Sequence, residues 1–235
     1  MKRNSIPLNE RIIFALDVPT AEQAIELVDR LDGQITSFKV GMQLFFASGW
    51  KVVDHIAARG GKVMLDLKLY DIPATVRLAF EQFAGRGVHL ATVHGYTPVV
   101  EAALEAKTEV QVLAVTVLTS FGEQQLQELN YQGTIEDLVF ERANRVIGTG
   151  CHGVVCSAQE ASMLRSKITS DFLMVTPGIR PSGSDKGDQQ RIATPGQAIA
   201  DGADYLVIGR PIRDAENPGQ MIASISKEIE MALSR

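Results

Sequence analysis

Asp66 and Lys68 are separated by a single residue, and a further carboxylate, Asp71, follows three positions later. The surrounding stretch reads Asp66-Leu67-Lys68-Leu69-Tyr70-Asp71-Ile72-Pro73-Ala74-Thr75, preceded by the β-favouring run Gly61-Lys62-Val63-Met64-Leu65. On a strand, residues i and i+2 point to one side. Asp66 and Lys68 are therefore expected on one face at the strand's end, with Leu65, Leu67 and Leu69 on the other. Pro73 suits the first turn of a helix, where its missing N–H costs nothing, and it biases Ile72 away from helix. Asp71 thus falls in the loop between strand and helix. An ammonium bracketed by two carboxylates is either a buried ion pair beside a helix-capping aspartate or a proton donor held in place. Structural ion pairs also perturb ionisable groups, so this stretch taken alone leaves both open.

The elements that must position these groups are strands alternating with helices. Ile12-Ile13-Phe14-Ala15-Leu16 reads as a strand ending at Asp17, followed by a helix that Thr20 can cap with Gln23 at the capping-box position. Ser37 to Gly41 is a second strand with Lys39 near its end, and a helical region over 43–59 is interrupted at Gly49. The Asp66/Lys68 strand comes third, and its helix runs from Pro73 to Gly85. Later strands are expected at 88–93, 110–117, 153–156, 172–175 and 205–208, with helices near 98–107, 134–148, 159–166 and 218–233. Eight near-continuous apolar strands joined by helices, with no composition break, predict one domain over 1–235: a parallel (β/α)8 barrel of the TIM type. A doubly wound open sheet is the runner-up. It is weakened because no Gly-x-Gly-x-x-Gly fingerprint follows the first strand.

In such a barrel, reacting groups sit at the C-terminal ends of strands. Here those ends carry Asp17, Lys39, Asp66 with Lys68, His94, Thr119 with Ser120, Arg180, and Gly209 with Arg210. A rim this polar, gathered from separate strands, favours function over structure. The loops after the seventh and eighth strands often build a phosphate site. They read Pro177-Gly178-Ile179-Arg180 and Ile208-Gly209-Arg210-Pro211, in which glycines admit an anion to the backbone N–H groups and arginine offers a planar fork. The aperiodic polar segment 181–190 reads as a lid.

Composition narrows the rest. Of 235 residues, 45% are hydrophobic and 22% charged, ordinary for a globular protein, and the net charge of −5 argues against a broad nucleic-acid footprint. An anionic ligand must therefore meet a local positive cluster. The basic Met1-to-Pro7 segment has no apolar run behind it and does not read as a signal peptide. No stretch approaches a membrane span. Cys151 and Cys156 lack metal-type spacing, and a reducing cytoplasm is the expected location. His55 and His152 read as surface or helix residues, His89 as packing, and His94 as a rim residue that can line the site. Cys156 reads as a small buried hydrophobe.

Beyond these readings, the chain resembles the orotidine 5′-phosphate decarboxylase family of bacterial type nearly end to end. The carrying residues are Ala15-Leu16-Asp17, Lys39-Val40-Gly41, Asp66-Leu67-Lys68 with Asp71-Ile72-Pro73-Ala74-Thr75, Val117-Leu118-Thr119-Ser120, Val175 to Arg180, and Val207 to Pro211. The resemblance implies loss of CO2 from orotidine monophosphate to give UMP, the last step of de novo pyrimidine synthesis, with no metal or organic cofactor. It implies a homodimer in which Asp71 and Thr75 reach into the neighbouring subunit's site. By the same likeness Lys68 protonates pyrimidine C6, and Lys39, Asp66 and Asp71 complete an alternating charge array. Asp17 and Lys39 would hold ribose hydroxyls, Thr119 or Ser120 the pyrimidine edge, and Gln189, Gly209 and Arg210 the phosphate, with Arg180 beside them. The chain departs from the family pattern at Gly95-Tyr96-Thr97-Pro98, where a small glycine-rich turn is usual, and at Ala74, where asparagine is common.

The chemistry fits those residue types. Decarboxylation leaves an sp² carbanion with no π-system to take the electrons, so groups already in place must stabilise the charge. An ammonium fixed between carboxylates lies ready to protonate the carbon. Asp66 beside the substrate carboxylate would repel it, a strain relieved as CO2 departs. Gripping the remote phosphate can organise the array and close a lid. Two rivals use the same features: an Mg²⁺-dependent sugar-phosphate decarboxylase or aldolase on the same scaffold, and a non-catalytic nucleotide-phosphate sensor.

Overall fold

The computed structural model describes residues 6–181 and 192–234. Positions 182–191, which include Gln189 and nearly all of the expected lid, lie outside the described residues. Eight parallel strands close into a barrel in sequence order: β1 (Ile12–Ala15), β2 (Ser37–Gly41), β3 (Lys62–Leu69), β4 (Val88–His94), β5 (Gln111–Val115), β6 (Gly153–Val155), β7 (Leu173–Thr176) and β8 (Tyr205–Ile208). β1 pairs with β8 in the register Ile12↔Leu206, Ile13↔Val207, Phe14↔Ile208, which closes the sheet and excludes the open-sheet alternative. The outer layer comprises α1 (Ala21–Arg30), α2 (Met42–Ser48), α3 (Lys51–Ala58), α4 (Pro73–Glu81), α5 (Thr97–Glu105), α6 (Glu123–Glu128), α7 (Ile135–Gly148), α8 (Ala158–Lys167), α9 (Pro195–Ala200), α10 (Arg210–Arg213) and α11 (Pro218–Leu233).

Local signals account for the helix boundaries. Thr20 accepts a hydrogen bond from the Gln23 amide at the start of α1, and Thr134 with Asp137 forms a full capping box on α7. Gly49, at φ 54°, separates α2 from α3 where the interruption is expected. Short α6 follows Gly122 and had no expectation in the sequence; its single buried residue, Leu126, gives too little periodicity to read. None of the helices among the described residues is long and apolar enough to cross a membrane.

Strand alternation sorts the core into two layers. Phe14, Phe38, Val40, Val63, Leu65, Ala91 and Val93 pack outward against the helices, whereas Ile13, Ala15, Met64, Leu90, Leu113, Leu173, Val175 and Val207 fill the barrel. The inward parity that gives Ser37 and Met64 low in the barrel gives Lys39, Asp66 and Thr92 further up. An apolar cluster that includes Ile13, Leu90, Leu113 and Leu173 fills the interior beneath them, and the Lys62–Glu10 ion pair at 2.7 Å stands at the N-terminal end.

Candidate active site

The Asp66/Lys68 faces are as the strand period predicts, since Leu65, Leu67 and Leu69 all join the outer layer. The backbone departs from a simple strand. Leu65 pairs with Ala91 and Leu69 with Val93, so residues 66–68 of β3 stand opposite Thr92 alone. Lys68 takes φ 48°, the left-handed region that a lysine rarely occupies. Sequence spacing carried no sign of this bulge, which re-aims the lysine at the end of its strand.

A chain of charges results. Asp66 Oδ2 accepts a hydrogen bond from Lys68 Nζ at 2.9 Å, and Lys39 Nζ lies 3.8 Å from the same oxygen. Lys39 Nζ also donates to Asp17 Oδ1 at 2.9 Å. The alternation Asp17–Lys39–Asp66–Lys68 is thus continuous across β1, β2 and β3. Side-chain exposure is 11% for Lys39 and 12% for Asp66 but 59% for Asp17, so the array runs from the barrel interior to its rim. Burial pushes the Asp66 carboxyl up. The Lys68 and Lys39 ammoniums, with hydrogen bonds from Lys68 and Thr92, outweigh it and hold the group below its ordinary value.

These residues line a cavity of about 230 Å³ at the barrel mouth together with Thr119, Gly178, Arg180, Gly209 and Arg210. The floor and one flank are apolar, from Met64, Val115, Val155 and Val207. Gly178 takes φ 78°, a conformation that opens the loop after β7. Arg180 is buried, and its Nη1 donates to the Ile179 carbonyl at 2.8 Å, whereas Arg210 is exposed at the start of α10. The cationic, glycine-rich loops after β7 and β8 therefore share one cavity with the charge array, and Gly209 stands directly beside Asp17, where a β-carbon would lie 3.6 Å from its Oδ2.

Other expected residues stand elsewhere. Asp71 and Thr75 are exposed and do not line this cavity; Asp71 Oδ1 accepts from the Ile72 amide at 2.6 Å. Ser120 is exposed next to the lining residue Thr119 and does not itself contribute to the wall. His94 lines a neighbouring hollow with Tyr70, Tyr96 and Arg142, its ring edge-on to Tyr70 at 5.4 Å. Burial, then the charges of Lys68 and Arg142, lower the His94 pKa.

Two contributors were not anticipated. Arg213 Nη1 donates to the Asp17 carbonyl at 2.9 Å, tying α10 to the end of β1. Thr92 Oγ1 donates to Asp66 Oδ1 and accepts from the Lys68 amide, each at 2.9 Å. A sign of Thr92 was present: Leu90, Thr92 and His94 share strand parity, which makes Thr92 an inward hydroxyl between an apolar floor and a polar rim. Among the described residues no group of three or more His, Cys, Asp or Glu side chains is placed to hold a metal ion.

A closed parallel barrel with its ionisable groups gathered at the strand C-termini defines a (β/α)8 enzyme. Residues 10–225 match the model of the orotidine 5′-phosphate decarboxylase / HUMPS family, and the chain belongs to that family. It is 46% identical over 225 residues to an orotidine 5′-phosphate decarboxylase from Afipia carboxidovorans, covering 95% of this chain and 96% of that one. Identity to the protein of that name from Methylococcus capsulatus is 43% over 220 residues, 93% and 91% of the two chains. Among solved structures, orotidine 5′-phosphate decarboxylase from Lactobacillus acidophilus superposes with a TM-score of 0.83 at 34% identity, over 94% of this chain and 99% of that one.

Proposed function

We propose that this chain decarboxylates orotidine 5′-monophosphate to UMP and CO2, the last step of de novo pyrimidine synthesis. The observation that carries the reading is the single carboxylate Asp66 held by two ammoniums, Lys68 at 2.9 Å and Lys39 at 3.8 Å, in a cavity that the Gly178/Arg180 and Gly209/Arg210 loops also line. Those loops take the 5′-phosphate, Arg210 by a charge-assisted contact and Arg180 from a buried position beside it. Asp17 and Lys39 meet the ribose hydroxyls. The pyrimidine lies over the apolar floor, with Thr119 at its edge.

In this pose the substrate carboxylate lies near Asp66. As the C6–CO2 bond breaks, its electron pair stays on C6, and Lys68 supplies the proton that forms the new C6–H bond. Neutral CO2 leaves, and the repulsion with Asp66 goes with it. Lys39 and Lys68 stabilise the charge on C6 without having to reorganise. This is a cofactor-free route through the chain's own groups. With two ammoniums against Asp66, that carboxylate is already neutralised where the Mg²⁺-dependent sugar-phosphate reading needs a cation ligand.

The proposal includes a homodimer in which Asp71 and Thr75 enter the partner's cavity. Both are exposed here, and around them Tyr70, Ile72, Leu78 and Tyr96 are 65%, 66%, 51% and 54% exposed, an apolar surface of the kind that marks an interface. Both cysteines are free and buried, which suits a reducing cytoplasm. The deciding experiment is an ultraviolet assay of orotidine monophosphate with purified protein in excess EDTA. Conversion to UMP under chelation is the expected result. No conversion, with turnover of a pentulose or hexulose phosphate once Mg²⁺ is added, would overturn it in favour of the sugar-phosphate reading; tight UMP binding without turnover would favour the sensor.

A further inference from the structure

Thr92 is buried at 1% exposure in the barrel interior, directly below the charge array, and does not line the cavity. Its hydroxyl has one proton and fixed neighbours. The Asp66 carboxylate can only accept and the Lys68 amide can only donate, so the Thr92 hydroxyl donates to the first and accepts from the second, both at 2.9 Å. The skip in the β3–β4 ladder, three residues of β3 against Thr92 alone, takes the Lys68 amide out of strand pairing. Freed from the ladder, that amide donates to the Thr92 side chain instead. A lysine at φ 48° persists only where its surroundings hold it there.

We propose that Thr92 is a positioning residue for the reaction: one hydroxyl holds both the backbone of Lys68 and the carboxylate of Asp66, and so sets where the proton donor stands relative to the substrate. The inference rests on the reading of Lys68 as proton donor. Thr92 acts on chemistry through these two groups, so its loss should lower kcat and leave nucleotide binding alone.

The test compares T92V, which keeps the shape and removes the hydroxyl, with T92S, which keeps the hydroxyl and removes the methyl. T92V is expected to lose about 10- to 100-fold in kcat, the loss typical of an unmade hydrogen bond to a charged group, with UMP affinity unchanged within about twofold. T92S should recover kcat to within about threefold of wild type. Amide hydrogen exchange of the peptide containing Lys68 supplies a readout independent of turnover: faster exchange in T92V, wild-type protection in T92S. T92A serves as the hydroxyl-free variant if T92V does not fold, as judged by circular dichroism. Wild-type kcat in a hydroxyl-free variant overturns the proposal, as does a T92S loss equal to that of T92V, which would make the role one of packing. If the wild-type enzyme does not convert orotidine monophosphate, the functional reading fails by itself. The exchange arm then still decides the positioning, and unchanged Lys68 protection in T92V would end it.

Discussion

Gly41 and Lys39 lie two residues apart on the inward face of β2, and a β-carbon at position 41 would stand 3.2 Å from the Lys39 ammonium. That distance is tighter than ordinary side-chain contact, and the same β-carbon would come within 3.9 Å of Asp17 Oδ1. A β-carbon there would therefore push the lysine's end aside by a few tenths of an ångström. Gly41→Ala is expected to displace the ammonium from between Asp17 and Asp66 and to lower kcat/KM by about tenfold or more, since small misplacements of reacting groups are expensive. The melting temperature should stay close to wild type. Steady-state kinetics beside a thermal melt checks this; unchanged kcat/KM would mean that Lys39 relocates without consequence.

Lys68 reaches the cavity from its own chain, whereas Asp71 is exposed beside an apolar surface. Lys68→Ala should lower kcat by at least about a thousandfold, because it removes both proton donor and adjacent charge, while UMP binding survives. Asp71→Asn should also be poorly active. If Asp71 serves the partner's cavity, mixing the two inactive proteins with subunit exchange creates heterodimers with one intact site, and activity returns. No recovery in mixtures shown by mass to contain heterodimers would place Asp71 outside the partner's site.

The two arginines of the phosphate loops should separate. Arg210 is exposed at the start of α10, and Arg180 is buried with its guanidinium on the Ile179 carbonyl. Arg210→Ala is expected to raise KM by about 10- to 100-fold through the lost charge-assisted contact, with the melting temperature unchanged. Arg180→Ala should raise KM and also lower the melting temperature by about 2–4 °C or more, because it leaves a buried carbonyl with one partner fewer. Equal melting temperatures for the two variants would contradict the difference in burial.

Asp66 links the array to acid stability. Its carboxyl is held below the ordinary carboxylate value in the folded chain, because the lysine charges and hydrogen bonds outweigh burial. Such a group binds fewer protons folded than unfolded near its titration. Its contribution is therefore complete above the unfolded value of about 3.9 and is lost as pH falls through the lower folded value. Thermal unfolding of wild type and Asp66→Asn from pH 7 downward should show a constant difference to about pH 4 and a narrowing one below it. A difference that already narrows between pH 7 and 5 would mean that burial, not the lysines, sets the titration.

Much of this architecture is legible in the sequence. The alternation of apolar strands and helices predicted the barrel, and β2 and β8 have the bounds that their composition suggested. Of the rim residues, Asp17, Lys39, Asp66, Lys68, Thr119, Arg180, Gly209 and Arg210 do meet in one cavity. Strand ends can be read from sequence because period and punctuation are local properties. What could not be read was relative placement: that His94 turns to the Tyr70 and Tyr96 hollow, that Ser120 faces away while Thr119 faces in, and that Arg213 secures Asp17.

The order of residues determined which groups arrive at the mouth, since strand parity fixes which side chains point inward at the end of each strand. Tertiary structure decided how those groups engage. The ladder between β3 and β4 skips at Thr92, Lys68 turns to φ 48°, and one carboxylate receives Lys68, Lys39 and Thr92 from three strands. A skip in register is a property of two strands packed together, and neither segment carries it alone. The barrel therefore follows from local pattern, whereas the geometry of its proton donor depends on closure.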